Sequence, residues 1–498
     1  MSPPEGTTPD DDTSAASPQT DPIGSKNTPT NQPALDENSS LTGEFIRNID
    51  HLVDSGNHEE ARRLVAELHP ADVADLLEQL DGMSRVTLIG MLGKDLDADT
   101  LIELDEDVRD DVIQVMPNQQ LATAIAEMET DDAAFVMEDM GAAAREEVFA
   151  GMPVPDQVTL RAVLDFEEDT AGRLMQREVF TAPSFWSVGQ IIDRLRSNEE
   201  LPETFYEVFV IDAAFRPVGS VPLSKFLRAP REALIKDLVI GENMRKVPVG
   251  MDQEEVAYLF EKYNLISVPV VDDSDRLVGM ITVDDVVEII QEENEEDMLA
   301  LAGVVSEESG LSASLGKTLR SRFTWLFVNL LTAILASIVI SLFGATLEQA
   351  VVLAILMPIV ASMGGNAGTQ TLTVAVRNIA TKDITSANTM RVVGREASLA
   401  FLNGLAFAVL LGVLAGVWYA YVGIGSPAGT EQGLKLALVL GLAMIITMLS
   451  AGLAGILVPI GLHRAGSDPA VSSAVFVTTV TDVVGFFAFL GLAALILV

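Results

Sequence analysis

Residues 356–377 read LMPIVASMGGNAGTQTLTVAVR, an apolar run interrupted by a proline, paired glycines, an asparagine, threonines and a glutamine. It belongs to the second of five apolar stretches, about 323–344, 350–376, 398–422, 436–462 and 471–497. Each reaches the ~20 residues that cross a bilayer as a helix. A five-helix membrane domain is therefore expected over 319–498. Lys317, Arg320 and Arg322 precede the first stretch, Arg377, Lys382, Arg391 and Arg395 separate the second from the third, and Arg464 separates the fourth from the fifth. The opposite side has only Lys435. This bias predicts a multi-pass plasma-membrane protein with a cytoplasmic N-terminus and an extracellular C-terminus. Five spans have no internal two-fold, so a pore is expected from a homodimer in the lipid bilayer.

Polar residues at membrane depth need a reason. Asp482, in FVTTVTDVVGFFAFL, lies eleven residues into the fifth stretch, ~16 Å deep at the helical rise. An intramembrane carboxylate marks an ion or proton pathway by default. The competing reading is a carboxylate pinned by Thr478, Thr479 and Thr481 to fix helix packing. Asn366 lies ten residues from the inner end of the second stretch, ~15 Å deep, so the two should meet at one level. Pro358 frees a carbonyl, and Gly364, Gly365 and Gly368 permit irregular turns, which lipid tolerates only where they line water or are buried in protein. The alternative for these glycines is tight small-residue packing. Carbonyls and amides around a carboxylate suit a hard cation that keeps its waters, as Mg²⁺ does.

The other half of the chain is its electrostatic opposite. Formal net charge is −41 over 498 residues. From Phe323 onward six basic and six acidic residues cancel, so the whole imbalance lies in residues 1–322. Such a surface repels nucleic acid and attracts cations. There is no cysteine, and the four histidines do not cluster, which argues against thiolate, zinc or copper centres. Residues 1–40, rich in Pro, Ser, Thr and Asp, are expected to be a disordered tail. Residues 41–172 read as an acidic all-α domain: HPADVADLLEQL, DADTLIEL and NQQLATAIAEM show helical spacing and recur at roughly 25 residues, like a small solenoid.

An internal repeat follows. VFVIDAAFRPVGSVPLSKFL (208–227) aligns with VPVVDDSDRLVGMITVDDVV (268–287) at an offset of 60, each copy reading as strand, turn, strand, helix. The pattern resembles a pair of cystathionine-β-synthase (CBS) domains, an α/β module that binds nucleotides or ions, here at 173–236 and 237–292. Residues 284–304 then read as one helix, and 293–318 as connecting helix and linker. Along it Asp285, Glu288, Glu292, Glu295 and Glu296 recur at three- and four-residue steps, with Glu293 and Asp297 widening the face. Two carboxylates ~5 Å apart at an effective dielectric near 20 repel by about 3 kcal/mol. Divalent cations would relieve that. The bland reading is an ordinary solvated helix face.

PIVASMGGNAGTQ followed by SDPAVSSAVFVTTVTDVVG, behind an acidic helical domain and two CBS copies, resembles the MgtE family of magnesium channels across nearly all of 41–498; the linker FEEDTAGRLM (166–175) is similar too. The resemblance implies a homodimer with a pore between the second and fifth spans. The selectivity carboxylate maps onto Asp482 and the polar pore-lining motif onto Gly364, Gly365 and Asn366, with Thr478 one turn from the acid. It also implies regulatory Mg²⁺ held by Asp252, Glu254, Asp285, Glu288, Glu293, Glu296 and Asp297, with Asp131 and Asp99 on the helical domain. Asn264 and Phe135 stand where family acids are expected. Thr282 and Asp285 stand where nucleotide-binding CBS copies hold a ribose, which makes ATP a candidate modulator; Pro222 and Lys225 replace them in the first copy. GLSASLGKT (310–318) misses the phosphate-loop spacing by one residue and reads as linker. No nucleophile–base arrangement points to an enzyme. The leading expectation is a Mg²⁺-gated uptake channel driven by the membrane potential. The alternatives are a carrier for another divalent such as Co²⁺, regulated by nucleotide, or a membrane-anchored receptor.

Overall fold

The computed structural model of the chain describes residues 34–138, 140–197, 201, 204–239, 244–304, 315–421 and 429–497. Residues 1–33 of the expected tail, and 305–314 with most of the GLSASLGKT stretch, lie outside the described residues.

Short helices fill the acidic domain, from Gly43–Asp54 to Val154–Leu164. Local chemistry sets their starts: Asp81 accepts from the Met83 and Ser84 amides at 2.9 Å, and Pro70 opens the next helix upstream. DADTLIEL, expected to be helical, forms only a 3₁₀ turn, Ala98–Leu101. Asp97 takes the Asp99 amide, and a short polar side chain bonding its own backbone competes with helix propagation.

The repeat forms two three-stranded sheets. In the first, β1 (Thr181–Pro183) pairs parallel to β2 (Glu207–Ile211), which pairs antiparallel to β3 (Pro217–Pro222). In the second, β4 (Val247–Pro248), β5 (Ser267–Val271) and β6 (Leu277–Thr282) repeat that order. Even the register repeats: Val210 faces Gly219 and Val270 faces Gly279, with a slip after each valine. The duplicated aspartates hold the two hairpin turns. Asp212 accepts from the Ala214 and Arg216 amides at 2.8 and 2.9 Å, and Asp272 does the same for Ser274 and Arg276.

The helical domain docks on the second copy. The 166–176 linker threads along it, with Ala171 N–H donating to Met251 O, Gly172 N–H to Val249 O, and Gln176 exchanging both backbone bonds with Met280. One buried cluster joins Leu160, Val163 and Met175 to Val256, Phe260, Val270, Ile281 and Ile289. The first copy keeps a core of its own around Ile191, Val208, Val210 and Phe226.

Among the described residues, five helices are long and apolar enough to cross a membrane: Thr318–Ser341, Val352–Ala380, Thr389–Tyr421, Thr430–Arg464 and Ala474–Ile496, the last within the helix Pro469–Ile496. The second span corrects the expectation of irregular turns. It is helical throughout, across Pro358 and all its glycines. An unbroken helix keeps its backbone bonds internal, and the glycines are used instead for close packing. A Cβ on Gly364 would strike Thr447 and crowd Thr481, and one on Gly368 would strike Val477.

The connecting helix, Val283–Ala302, ends at Gly303 in the left-handed conformation (φ 75°). Its last turn enters the membrane bundle, where Ala300 packs with Leu372, Val376, Ala454, Ala470 and Val477. Beside it, Lys382 just past the second span meets Glu255 of the second CBS copy at 3.0 Å. The soluble half therefore sits at the end of the bundle that carries Arg377, Lys382, Arg391, Arg395 and Arg464.

Candidate ion pathway and acidic clusters

Asn366 lies at the middle of Val352–Ala380, and Asp482 at the middle of Pro469–Ile496. The two helices run antiparallel, because Gly364 meets Thr481 while Gly368 meets Val477. That register sets Asn366 level with Thr479, three residues from Asp482, or ~4.5 Å along the axis. The two polar side chains thus share one depth.

The threonines do not pin the carboxylate. Thr478, Thr479 and Thr481 donate their hydroxyls to Ala474 O, Val475 O and Thr478 O, at 2.9, 2.6 and 2.9 Å. Each hydroxyl has one proton to give. Asp482 receives no hydrogen bond among the described residues. Along the second span Ser362, Asn366, Thr369, Gln370, Thr373 and Arg377 are all exposed at helical spacing, and Thr478 is exposed beside them. Exposed residues of the first and third spans are mostly apolar, such as Leu330, Ile334, Leu402, Val409 and Val413, with single polar side chains such as Asn329, Ser337 and Asn403 among them. Gly365 borders open space, whereas Gly364 faces the fourth and fifth spans and brings those helices together.

The acids expected to be regulatory gather in two places. The first is the joint between the helical domain and the second CBS copy. Asp131 and Asp132 open the helix Thr130–Glu138, and their carboxylate oxygens lie with that of Glu129 within 4.8 Å of one another. Burial, then Asp285, Asp132 and Glu129, pushes Asp131 well up from the usual carboxylate range. Burial, then Asp285, Glu129, Glu288 and Asp99, pushes Asp132 up to about 7. Asp285 and Glu288 are themselves raised, mainly by burial. Asp131 Oδ2 is buried with no hydrogen-bond partner. Gln176 Nε2 donates to Glu129 at 2.9 Å and Thr130 Oγ1 to Glu178 at 2.7 Å, so the linker holds this loop in place. An orphaned carboxylate oxygen in an all-oxygen donor set fits a hard divalent cation such as Mg²⁺.

The second cluster spans the two halves. Burial and then Glu254, Glu296 and Asp252 push Glu293 up to about 7, against a 2.8 Å hydrogen bond from Gln253. Asp297 rises to about 6 through burial, Asp468 and Glu296. Glu254 is raised by burial, Asp252 and Asp297, with Asp468 adding to it. Asp468 caps the fifth span, accepting from the Ala470 amide at 2.7 Å. Sequence reading missed Glu129, Asp132 and Asp468. The run Glu129–Thr130–Asp131–Asp132 was a visible signal; Asp468 joins only through tertiary packing.

Four positions singled out in the sequence have local duties. Thr282 and Asp285 bond each other, Thr282 N–H and Oγ1 both donating to Asp285 Oδ2 at 3.1 and 2.8 Å, a capping box that opens the connecting helix. Asn264 ends the Gln253–Tyr263 helix at φ 50°. Phe135 carries the Arg109 guanidinium 4.4 Å above its ring.

Comparison with known proteins agrees along the chain. Residues 357–492 match the MgtE family, described as divalent cation transporter; residues 68–169 match the MgtE intracellular N domain and 235–292 the CBS domain. A magnesium transporter MgtE of Enterococcus faecalis is 32% identical over 336 residues, 68% of this chain and 71% of that protein. A magnesium transporter MgtE of Thermus thermophilus is 29% identical over 460 residues, 90% of this chain and 98% of that protein. A crystal structure of the cytosolic domain of the Mg²⁺ channel MgtE in complex with ATP is 26% identical, covering 49% of this chain and 99% of that one, at a TM-score of 0.46. With the three family matches in order along the chain, five apolar helices among its described residues, and a relative 32% identical over 71% of its length, the chain belongs to the MgtE family, multi-pass membrane transporters of divalent cations and not enzymes.

Proposed function

We propose that this protein is a magnesium-selective uptake channel, driven by the membrane potential and closed by cytosolic Mg²⁺. The observation that carries the reading is Asp482: a carboxylate at mid-membrane, without a hydrogen-bond partner among the described residues, beside an uncovered polar stripe. Hydrocarbon penalises such a surface, so it faces water and a second copy of the chain. The connecting helix supports the same homodimer, since Val287 (58% exposed) and Met298 (71%) leave apolar positions uncovered. The pore runs between the second and fifth spans. Asp482 attracts the hydrated ion, while Asn366, Thr478 and the Gly365 backbone bond its waters. The bundle end bearing the basic residues and the soluble half is cytoplasmic. An inward potential of ~100 mV supplies about 4.6 kcal/mol per divalent ion, so no ATP hydrolysis is needed.

Closure follows from the acids. Asp131, Asp132, Glu129, Asp285 and Glu288, with Asp99 nearby, would hold Mg²⁺ at the helical-domain joint. Asp252, Glu254, Glu293, Glu296 and Asp297 would hold it against Asp468. Without cations these carboxylates repel and part; with cations they clamp the connecting helix against the bundle. ATP binding at Thr282 and Asp285 requires those side chains to release each other, which makes nucleotide a modulator and not a fuel. The test is Mg²⁺ flux into proteoliposomes. Asp482→Ala is expected to lower flux by about two orders of magnitude while the dimer survives. Unchanged flux would overturn the pore assignment.

A further inference from the structure

A chain of alternating cations and rings starts at the membrane end of the bundle. Lys382, two residues past the second span, sits 4.7 Å from the centre of the Tyr258 ring. Lys262 lies 4.9 Å from the same ring and donates to its hydroxyl at 2.9 Å. Lys262 is also 5.7 Å from the Tyr263 ring, over which Arg245 stands at 4.3 Å. Glu255 neutralises Lys382. Lys262 and Arg245 form no ion pair among the described residues, and both are exposed. A ring face attracts a cation without cancelling its charge.

This strip is anomalous in a soluble half that carries the whole net charge of −41. An acidic domain is repelled by an anionic membrane surface, yet the strip begins at Lys382, which ties the membrane end of the bundle to the soluble half through Glu255. Tyrosine and lysine or arginine are also the side chains that settle at a bilayer interface. We propose that Arg245, Tyr263, Lys262 and Tyr258, starting from Lys382, form a headgroup-binding surface for an anionic phospholipid of the adjoining leaflet. The phosphate lies between Lys262 and Arg245, and the tyrosine rings pack along the glycerol. The strip lies outside the ion pathway and both acidic clusters, so the inference goes beyond the transport reading and stands or falls separately.

The test is native mass spectrometry of the full-length protein in mild detergent, titrated with phosphatidylglycerol or with phosphatidylcholine of the same acyl chains. The wild type is expected to retain the anionic lipid preferentially. The double variant Lys262→Gln, Arg245→Gln should bind it about 30-fold more weakly, about 2 kcal/mol at ~1.4 kcal/mol per tenfold and ~1 kcal/mol per juxtamembrane cation. The charge-keeping variant Lys262→Arg, Arg245→Lys should restore retention, which separates loss of the site from loss of the fold. Glycerol phosphate, a headgroup without chains, should not displace the lipid at equal concentration. Equal retention of both lipids, equal retention by the Gln variant, or full displacement by glycerol phosphate would each overturn the proposal.

Discussion

Asp482 and Gly364 show two ways a residue in a span can be read. An acid at mid-membrane is so costly that its presence alone points to a functional role, and the sequence places Asn366, ten residues inside the second stretch, near the same level. The glycines were ambiguous, because both a loosened backbone and a tight helix contact call for them. Packing resolves them one at a time: Gly364 is enclosed by Thr447 and Thr481, while nothing lies within 4 Å of a Cβ placed on Gly365. The two neighbours should therefore behave differently. Gly364→Ala forces Thr447 or the helix to move and should cost about 1–3 kcal/mol, the usual range for overpacking, seen as a lower melting temperature of the purified protein. Gly365→Ala should leave the melting temperature unchanged. Equal losses at both would mean that the second span does not sit against the fourth and fifth as described.

At the scale of elements, the repeat was legible to the residue. Identical aspartates sixty positions apart proved to be the acceptors of two matching turns, and the strand registers coincide. The connecting helix was expected over 284–304 and spans Val283–Ala302. Its partners were not all legible, since Asp132 and Asp468 reach its acids only after folding. Their crowding predicts a pH dependence. Asp132 and Glu293 are raised to about 7 and Asp297 to about 6, against ordinary values near 4. Below pH ~4 these groups are protonated whether the domains are docked or apart, so they impose no cost. Between ~4 and ~7 the docked form holds protons that the separated form has released, and docking weakens as pH rises. Without divalent cations, the 166–176 linker should become steadily easier to cleave by protease from pH 5 to pH 8. Millimolar Mg²⁺ replaces those protons and should flatten the profile. A linker that grows more resistant with rising pH would refute the coupling of these carboxylates to docking.

Across the whole molecule, charge and hydropathy separate the chain into two bodies, and the sequence marks where they divide but not how they touch. Contact is made through few groups: Ala300 among Leu372, Val376 and Val477, Lys382 against Glu255, and Asp468 facing Asp297 and Glu254. A signal passing from the acidic clusters to the proposed pore would have to cross contacts of this kind. Ala300 is the most discriminating place to break the link, because it binds no ion and is small enough that its pocket has no room to spare (7% exposed). Ala300→Trp should cost about 1–3 kcal/mol in the seated arrangement, shifting closed toward open by roughly 5- to 150-fold. Proteoliposomes carrying this variant should then pass Mg²⁺ even with millimolar Mg²⁺ on the soluble-domain side, where the wild type is expected to be shut. Calorimetry should meanwhile find Mg²⁺ still binding the acidic clusters, since no carboxylate is altered. Flux that remains suppressed would show that closure travels by another contact, and Lys382→Ala would be the next to test, because the bond to Glu255 is a second direct tie between the halves.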